Sequence, residues 1–159
     1  MDYNIYCDGA TSNNGYENAR GGWAYLILDE NDIEIYRFKE GVPSATNNQM
    51  ELLAAINGLL YLHSVRDISK QDKVTVYTDS AYLANCVKQK WYNRWLVNGW
   101  VNSKKEPVAN KNLWKSLIPF FEAGNIEFVK VKGHAGNKYN EIVDKMAVSA
   151  KEENNGSIC

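Results

Sequence analysis

Four acidic residues stand at positions from which acidic side chains can do chemistry. Asp8 and Asp79 each follow a segment in which apolar and polar residues alternate, so both are expected at the end of a strand. Glu51 lies within the apolar run QMELLAAI, and Asp144 is flanked by apolar residues on a predicted helix. Carboxylates are rarely buried unless they are paired or bound to a metal. Each of the four is therefore a candidate for catalysis or for binding a cation such as Mg²⁺, which prefers oxygen ligands.

Each of these acids also has an ordinary structural explanation. Asp79 is placed to cap the helix that follows it, since aspartate is common at turns and helix starts. Glu51 is compatible with a narrow polar stripe on its helix, and Asp144 has polar neighbours in Glu141 and Lys145. Because the four acids lie on four separate predicted elements, their spacing alone does not bring them together.

A second stretch, residues 84–118, combines positive charge with aromatic side chains. It carries 7 Lys and Arg against 1 Asp and Glu, whereas residues 1–83 carry 6 against 12. Trp91 and Trp95 are four residues apart and share a helix face, from which they could stack on sugar or base while cations meet phosphates. A solvated helical face explains the charge equally well. Trp100 and Trp114, from the same stretch, are expected in the core.

The elements that must position these residues alternate between strands and helices. Period-two patterns predict strands at YNIYCD, IEIYRFKEG, KVTVYT and IEFVKVK, and the short apolar run WAYLILD predicts a buried strand. The helix from TNNQMELL onward begins with a capping box of Thr46 and Gln49, and Ser80 is the predicted N-cap of the next helix. Further helices are expected around Pro119 and at EIVDKMAVSAKEE. The order predicts an α/β fold in which three antiparallel strands and two further parallel strands form one mixed sheet, with helices on both faces.

Length and composition exclude several classes of protein. The 159 residues, 45% of them hydrophobic, predict one domain over residues 1–152 and a disordered tail over residues 153–159. Three widely spaced cysteines argue against a disulfide framework or a zinc site. No apolar run reaches the roughly 18 residues of a membrane span, and the N-terminus lacks the order of a signal peptide. We therefore expect a cytoplasmic protein without a membrane partner.

Several short motifs occur in one order along the chain. They are DGA after the first strand, TNNQMEL at the start of a buried helix, YTDSAY after a later strand, the segment WYNRWLVNGW…PVANKNLW, and VKGHAG followed by N-E-x-x-D. Together they span residues 3–151 and resemble type 1 ribonuclease H. The resemblance implies the ribonuclease H-like fold and a monomeric endonuclease that cuts the RNA strand of an RNA–DNA hybrid. The implied products carry 3′-hydroxyl and 5′-phosphate ends.

The resemblance also implies which residues perform the reaction. The four carboxylates of Asp8, Glu51, Asp79 and Asp144 correspond to the ligands of two Mg²⁺ ions, for which Mn²⁺ can substitute. Two such ions, about 3.5–4 Å apart, activate a water on one side of a phosphodiester and stabilise the leaving oxygen on the other. His134, in the loop KGHAG, corresponds to an auxiliary residue for proton transfer or product release. Its ordinary interpretation is an exposed loop histidine.

Substrate contacts are implied at three further places. Asn47 and Asn48, with Gln49 beside them, correspond to residues that contact the 2′-hydroxyls of the RNA strand. Thr46 and Asn110 correspond to a pocket that binds a phosphate of the DNA strand. Trp91 and Trp95 correspond to a basic protrusion that grips the DNA strand, and Asn14 corresponds to a substrate-contacting asparagine in the first loop. The protrusion departs from the more basic bacterial pattern, because Leu96, Val97 and Asn98 follow the second tryptophan.

Two alternatives come from other functional classes. A hybrid-binding module without catalysis would gain nothing from four carboxylates, which only add negative charge near the nucleic acid. Another nuclease or strand-transfer enzyme on a related fold, such as an exonuclease, a transposase or an integrase domain, would not be expected to carry TNNQMEL, KGHAG and the tryptophan-rich segment together. Cleavage of a labelled hybrid with and without Mg²⁺ distinguishes a ribonuclease H from a non-catalytic binding module. Parallel tests on duplex DNA and single-stranded RNA distinguish it from another nuclease or strand-transfer enzyme.

Overall fold

The computed structural model describes residues 1–12, 20–43, 45–132 and 137–154. Five strands form one mixed sheet in the order β3-β2-β1-β4-β5. The pairs β1–β2 and β2–β3 are antiparallel, and the pairs β1–β4 and β4–β5 are parallel, so the predicted sheet is confirmed. The strands are β1 Asp2–Ser12, β2 Arg20–Leu28, β3 Glu34–Pro43, β4 Lys73–Thr78 and β5 Asn125–Lys130.

Helices cover both faces of this sheet, as predicted. Helices α1 to α4 share the larger core cluster with Ile5, Cys7 and Val76, whereas Val143 of α5 packs with Tyr6 and Leu26 on the other face. This division follows from the two-residue period of β1, which turns Ile5 and Tyr6 to opposite faces. The helices are α1 Asn47–Arg66, α2 Ala81–Lys88, α3 Trp91–Asn98, α4 Lys111–Ala123 and α5 Lys138–Asn154.

Both predicted helix caps are confirmed. The Thr46 hydroxyl accepts from the Gln49 backbone N–H at 3.3 Å, and the Gln49 side chain accepts from the Thr46 N–H at 2.9 Å. Ser80 caps α2 by accepting from the Leu83 N–H at 3.1 Å. The two caps fix where α1 and α2 begin, and each of these starts lies within five residues of a candidate carboxylate.

The expectation that β1 ends at Asp8 is wrong. On its β2 side the strand continues from Asp8 opposite Ala24 to Ser12 opposite Arg20. On its β4 side the last register pair is Tyr6 with Tyr77. Backbone pairing with β2 therefore extends β1 past Asp8, the polar residue at which the sequence pattern predicted its end. The sheet still opens beside Asp8, because β4 no longer accompanies β1 there.

Three further details concern the helices. Between α2 and α3 lies Lys90, the N-cap residue of α3, which has a positive φ of 55°. Pro119 lies within α4, which runs to Ala123 because its apolar face is buried. His63 of α1 packs on Phe120 with ring centroids 5.0 Å apart.

The predicted tail overlaps the last helix. Helix α5 ends at Asn154, and residues 155–159 lie outside the described residues. In the described part of the chain, none of the helices combines the length and apolar character required to cross a bilayer.

Candidate metal-binding active site

Three of the four candidate carboxylates meet at the open end of the β1–β4 pair. Asp8 comes from β1, Glu51 from the second turn of α1, and Asp79 follows β4 directly. One carboxylate oxygen from each residue lies within 4.8 Å of those of the other two. Tyr6 and Tyr77 are the last register pair, so Asp8 and Asp79 both stand two residues beyond it. The fold thus brings together side chains that local spacing left apart.

Gly9 allows α1 to lie close enough to β1 for this meeting. A Cβ atom at Gly9 would stand 2.5 Å from Met50 Cβ and 2.8 Å from the Glu51 backbone nitrogen, distances that real side chains do not adopt. The Gly9 N–H donates to Asp8 Oδ1 at 2.9 Å and to Glu51 Oε1 at 3.2 Å. One backbone group therefore orients two of the candidate carboxylates.

Thr78 contacts the other oxygen of Glu51. Its hydroxyl donates to Glu51 Oε2 at 3.4 Å and accepts from the Ser80 backbone N–H at 3.1 Å, and the residue is fully buried. Sequence reasoning did not select Gly9 or Thr78 as site residues. Their positions next to Asp8 and Asp79 in the motifs DGA and TDS were the available signal.

Asp144 reaches the same cluster from α5. Its half-buried side chain lies close enough to Asp8 to contribute to raising the pKa of that carboxyl. Glu51 belongs to the helix on one face of the sheet and Asp144 to the helix on the other, so the two helices approach Asp8 at the end of the sheet. Asp144 therefore adjoins the cluster, but it is not in the group of Asp8, Glu51 and Asp79, whose oxygens lie within 4.8 Å of one another.

Burial and mutual repulsion make this cluster unfavourable as four free anions. Burial, and after it the negative charges of Glu51 and Asp79, raise the pKa of Asp8 far above the ordinary range of a carboxyl. Burial and the charge of Asp79 raise the pKa of Glu51, although the hydrogen bonds from Gly9 and Thr78 act in the opposite direction. Such a set of charges becomes stable when a cation neutralises it.

The residues present fit a divalent cation. Asp8 is 2% exposed, and its Oδ2 atom is buried without a hydrogen-bond partner. A buried carboxylate oxygen without a partner is costly, and a metal ion satisfies it. The donor set consists of carboxylate oxygens, which is the chemistry that Mg²⁺ and Mn²⁺ select.

The predicted RNA-binding residues lie at the start of α1. Asn47 and Asn48 are exposed on its first turn, directly after the cap residue Thr46. The side-chain oxygen of Gln49 is engaged in the capping box. Asn47 Oδ1 accepts from the Thr11 hydroxyl at 2.5 Å, a contact that sequence reasoning did not predict. This turn of the helix also leads directly to Glu51, so the polar surface adjoins the acidic cluster.

The two tryptophans assigned to the DNA strand occupy different environments. Trp91 is 36% exposed and donates from Nε1 to Gln89 at 2.8 Å. Trp95 is 8% exposed and packs edge-on against Trp114, with ring centroids 5.5 Å apart. Both still line a groove of about 260 Å³ between α3 and the following turn, together with Arg94, Asn98, Val101, Asn102 and Ser103. Trp100 and Trp114 are buried, so their assignment to the core is confirmed.

The remaining predicted residues are placed as follows. Asn110 is the N-cap residue of α4 and has a positive φ of 61°. Its side chain is close enough to Tyr82 to act against the burial that raises the pKa of that phenol. His134 and Asn14 lie outside the described residues.

Comparisons with known proteins agree with this arrangement of fold and site. The family model described as RNase H matches residues 1–152. Ribonuclease H of Thermoanaerobacter sp. (strain X514) is 39% identical over 151 residues, which cover 94% of this chain and 90% of that protein. Two solved structures share the fold. LC9-RNase H1, a type 1 RNase H with the type 2 active-site motif, has a TM-score of 0.80 at 25% identity, over 96% of this chain and 72% of that chain. LC11-RNase H1, solved in complex with an RNA/DNA hybrid, has a TM-score of 0.74 at 20% identity, over 97% of this chain and 99% of that chain.

The sheet order and the acidic cluster at its open end thus define an α/β enzyme of the ribonuclease H-like class. The chain belongs to the RNase H family, because that family's model spans nearly its whole length. Its curated relatives are named Ribonuclease H, and it is accordingly a hydrolase that acts on phosphodiester bonds.

Proposed function

We propose that this chain is an endonuclease that hydrolyses the RNA strand of RNA–DNA hybrids and leaves 3′-hydroxyl and 5′-phosphate ends. The observation that carries the proposal is the cluster of Asp8, Glu51 and Asp79, with oxygens within 4.8 Å of one another. The hybrid held by LC11-RNase H1 is the substrate class that we assign to this chain. We further propose that it acts as a monomer in the cytoplasm.

Two Mg²⁺ ions are the cofactors that the site accommodates best, and Mn²⁺ can substitute. Asp8, Glu51, Asp79 and Asp144 would hold them, and the unpartnered Asp8 Oδ2 supports this assignment. When bound, such a pair of ions supplies an activated water on one side of a phosphodiester and charge stabilisation for the leaving oxygen on the other.

The protein's own contribution is to hold the carboxylates ready. Glu51 is fixed at both oxygens, by the Gly9 N–H and by the Thr78 hydroxyl, so little reorganisation is needed when a cation enters. Asp8 is buried on the end of the sheet, where water is largely excluded and electrostatic interactions are strong. His134, which precedes α5 in the sequence, is proposed to assist proton transfer or product release.

Two surfaces beside the cluster are proposed to bind the two strands of the hybrid. Asn47, Asn48 and Gln49 would contact ribose 2′-hydroxyls. This assignment is supported by the exposure of the two asparagines at the start of α1 and by the position of all three residues close to Glu51 in the sequence. The groove lined by Trp91 and Trp95 would contact the DNA strand. We also propose that Thr46 and Asn110 bind a phosphate of the DNA strand and that Asn14 contacts the substrate.

The test compares one sequence in several nucleic-acid forms. A labelled RNA–DNA hybrid, the matching DNA duplex and the single-stranded RNA are incubated with the protein in Mg²⁺, in Mn²⁺ and in a chelator. We expect cleavage of the RNA strand of the hybrid only, and only with metal, with product ends that a polymerase extends from the 3′ side and a ligase joins at the 5′ side. Hybrid binding without cleavage in either metal would show that the protein is a non-catalytic binding module. Equal cleavage of duplex DNA and hybrid would indicate a different nuclease.

A further inference from the structure

Asn140, in the first turn of α5, has a buried amide oxygen that is not hydrogen-bonded. The residue is 2% exposed, and nothing in the described part of the chain donates to its Oδ1 atom. Its backbone, in contrast, is satisfied, because its N–H donates to Asn137 Oδ1 at 3.0 Å at the start of the helix. An unpaired buried acceptor destabilises a fold, so this oxygen calls for a partner from outside the chain.

The first turn of α5 lies beside the open end of the β1–β4 pair. Tyr139 contacts Tyr6, with ring centroids 5.2 Å apart, and Tyr6 in turn stacks on Tyr77 at 4.6 Å. Tyr6 and Tyr77 are the last register pair of the two strands, and each is followed two residues later by a carboxylate of the acidic cluster. Asn140, the neighbour of Tyr139, is therefore held close to that cluster.

The helix turns Asn140 to the side that carries Asp144. Ser149 marks the other side, toward β3, because Lys39 Nζ donates to its hydroxyl at 2.9 Å. The nine residues from Asn140 to Ser149 span about two and a half helical turns, so the two lie on opposite sides of the helix axis. Asp144 is four residues after Asn140, on the same side, and it contributes to the raised pKa of Asp8. The unpaired oxygen thus lies on the side of α5 that adjoins the acidic cluster.

Two buried oxygens without partners therefore occur in one region of the molecule. Among the buried side-chain oxygens of the described residues, Asp8 Oδ2 and Asn140 Oδ1 are the two that lack a hydrogen bond. A cation satisfies a carboxylate oxygen, whereas an amide oxygen also accepts from water. Because an amide carries no net charge, Asn140 adds nothing to the repulsion among the carboxylates.

We propose that Asn140 is a positioning residue of the metal site, and that its amide oxygen accepts a hydrogen bond from water that hydrates the cation. This inference rests on the proposed function and adds to the site a residue beyond the four carboxylates. Mg²⁺ retains several water molecules when only a few carboxylates bind it. Groups that orient the surroundings of a metal in this way typically change its affinity roughly ten- to hundredfold.

Three substitutions separate the acceptor oxygen from the shape of the side chain. Asn140→Leu and Asn140→Ala remove the oxygen, the first with a side chain that branches at the same atom and the second without added volume. Asn140→Asp keeps an acceptor oxygen in the same place. Asn57→Leu is the matched control, because that amide lies on α1 and donates to the Leu53 carbonyl at 2.7 Å.

Calorimetric titration with Mg²⁺ in the absence of nucleic acid is the first measurement. We expect the Kd to rise roughly tenfold in Asn140→Leu and Asn140→Ala, and to keep its native value in Asn57→Leu. Asn140→Asp should bind Mg²⁺ at least as tightly as the native protein. Water-proton relaxation of the Mn²⁺-loaded proteins should show faster exchange of metal-bound water in the first two variants and native exchange in Asn57→Leu.

Thermal unfolding in chelator distinguishes this role from a structural one. The midpoint of Asn140→Leu should equal or exceed that of the native protein, because an apolar side chain removes the unpaired buried acceptor. If the amide served the fold instead, Asn140→Leu and Asn140→Ala would both lower the midpoint and leave the Kd for Mg²⁺ unchanged.

A native Kd in both Asn140→Leu and Asn140→Ala would overturn the proposal, as would an Asn140→Asp variant that binds Mg²⁺ as weakly as they do. If Asn140→Leu does not fold, Asn140→Ala decides the question in the same titration. Failure of the proposed function gives a different result, namely a native protein that binds no Mg²⁺ and cleaves no hybrid, and the role of Asn140 would fall with it.

Discussion

The acidic cluster around Asp8 and the basic, tryptophan-rich segment of residues 84–118 use burial in opposite ways. In the cluster, carboxyl groups are buried together at an energetic cost that either protonation or a bound cation relieves. In the segment, the cationic side chains stay on the surface and large aromatic rings are buried, which stabilises the fold. A buried carboxylate is therefore a strong indication of function in this chain, whereas a tryptophan in a basic stretch is not.

The tryptophan pair illustrates the second half of this comparison. Trp91 and Trp95 are four residues apart on α3 and were predicted to act together. Trp95, however, packs with Trp100 and Trp114, at centroid distances of 5.9 and 5.5 Å, and is largely buried although it lines the groove. Helical spacing identifies residues that share a face but does not tell which end of that face another element covers.

The largest effect is expected at the cluster. Asp8→Asn removes a metal-ligand charge and keeps the side-chain shape, so it should reduce hybrid cleavage in Mg²⁺ by roughly a thousandfold or more, a loss of about 4 kcal/mol in transition-state stabilisation. Circular dichroism and hybrid binding should remain close to those of the native protein. If the variant kept more than about a tenth of the native kcat, Asp8 would not belong to the reacting site.

The largest effect on stability is expected in the tryptophan-rich segment. Trp95→Ala removes a ring that is 8% exposed and packed against two other rings, so it should lower the free energy of unfolding by about 3–5 kcal/mol. Urea denaturation of the metal-free protein measures this change. A loss below about 1 kcal/mol would assign Trp95 to the surface and remove the contrast with Trp91.

A smaller effect on stability, of opposite sign, is expected at the cluster. In chelator, Asp8→Asn should raise the free energy of unfolding by about 1–2 kcal/mol, or roughly 3–6 °C in Tm, because it relieves repulsion. The pKa values of Asp8 and Glu51 are raised from ordinary values of 3.8 and 4.5, so the folded state binds more protons than the unfolded state above about pH 4.5. The metal-free native protein should therefore lose stability as the pH rises from about 5.5 to 8.

The same pH series with Asp8→Asn is the control, and its slope should be shallower because one titrating carboxyl has been removed. Equal slopes in the two proteins would show that the cluster carries no repulsion. Adding Mg²⁺ to the native protein should flatten the slope as well, since the bound cation replaces the protons.

The smallest effect is expected at the exposed tryptophan. Trp91→Ala should raise the KM for the hybrid about fivefold, the lower end of the range for a stacking contact, and change the free energy of unfolding by less than about 1 kcal/mol. Steady-state kinetics and urea denaturation of the same preparation give both numbers. An unchanged KM would exclude Trp91 from the substrate groove.

Local patterns in the sequence predicted most of the fold. Alternation identified four strands and a short apolar run identified the fifth. The pairs Thr46–Gln49 and Ser80–Leu83 form the caps that helix chemistry predicts. The break between α2 and α3 at Lys90 could not be predicted, because a positive φ is disfavoured at lysine.

The site was predicted only in part. Its acids were visible as carboxylates in apolar surroundings, but their convergence depended on the resemblance, since Asp8, Glu51 and Asp79 meet through tertiary packing alone. The contacts of Gly9, Thr78 and Thr11 could not be foreseen. They arise from distances between elements that are 27 to 42 residues apart, and no local period encodes those distances.

The most direct test of the account is a calorimetric titration of Mg²⁺ into the native protein and into Asp8→Asn, each in the absence of nucleic acid and at a pH where the fold is stable. The account predicts saturable binding with release of protons by the native protein, and binding at least about tenfold weaker by the variant, as expected when a charged ligand is lost. Equal affinity and equal proton release in the two proteins would contradict the claim that these carboxylates are gathered to hold a cation.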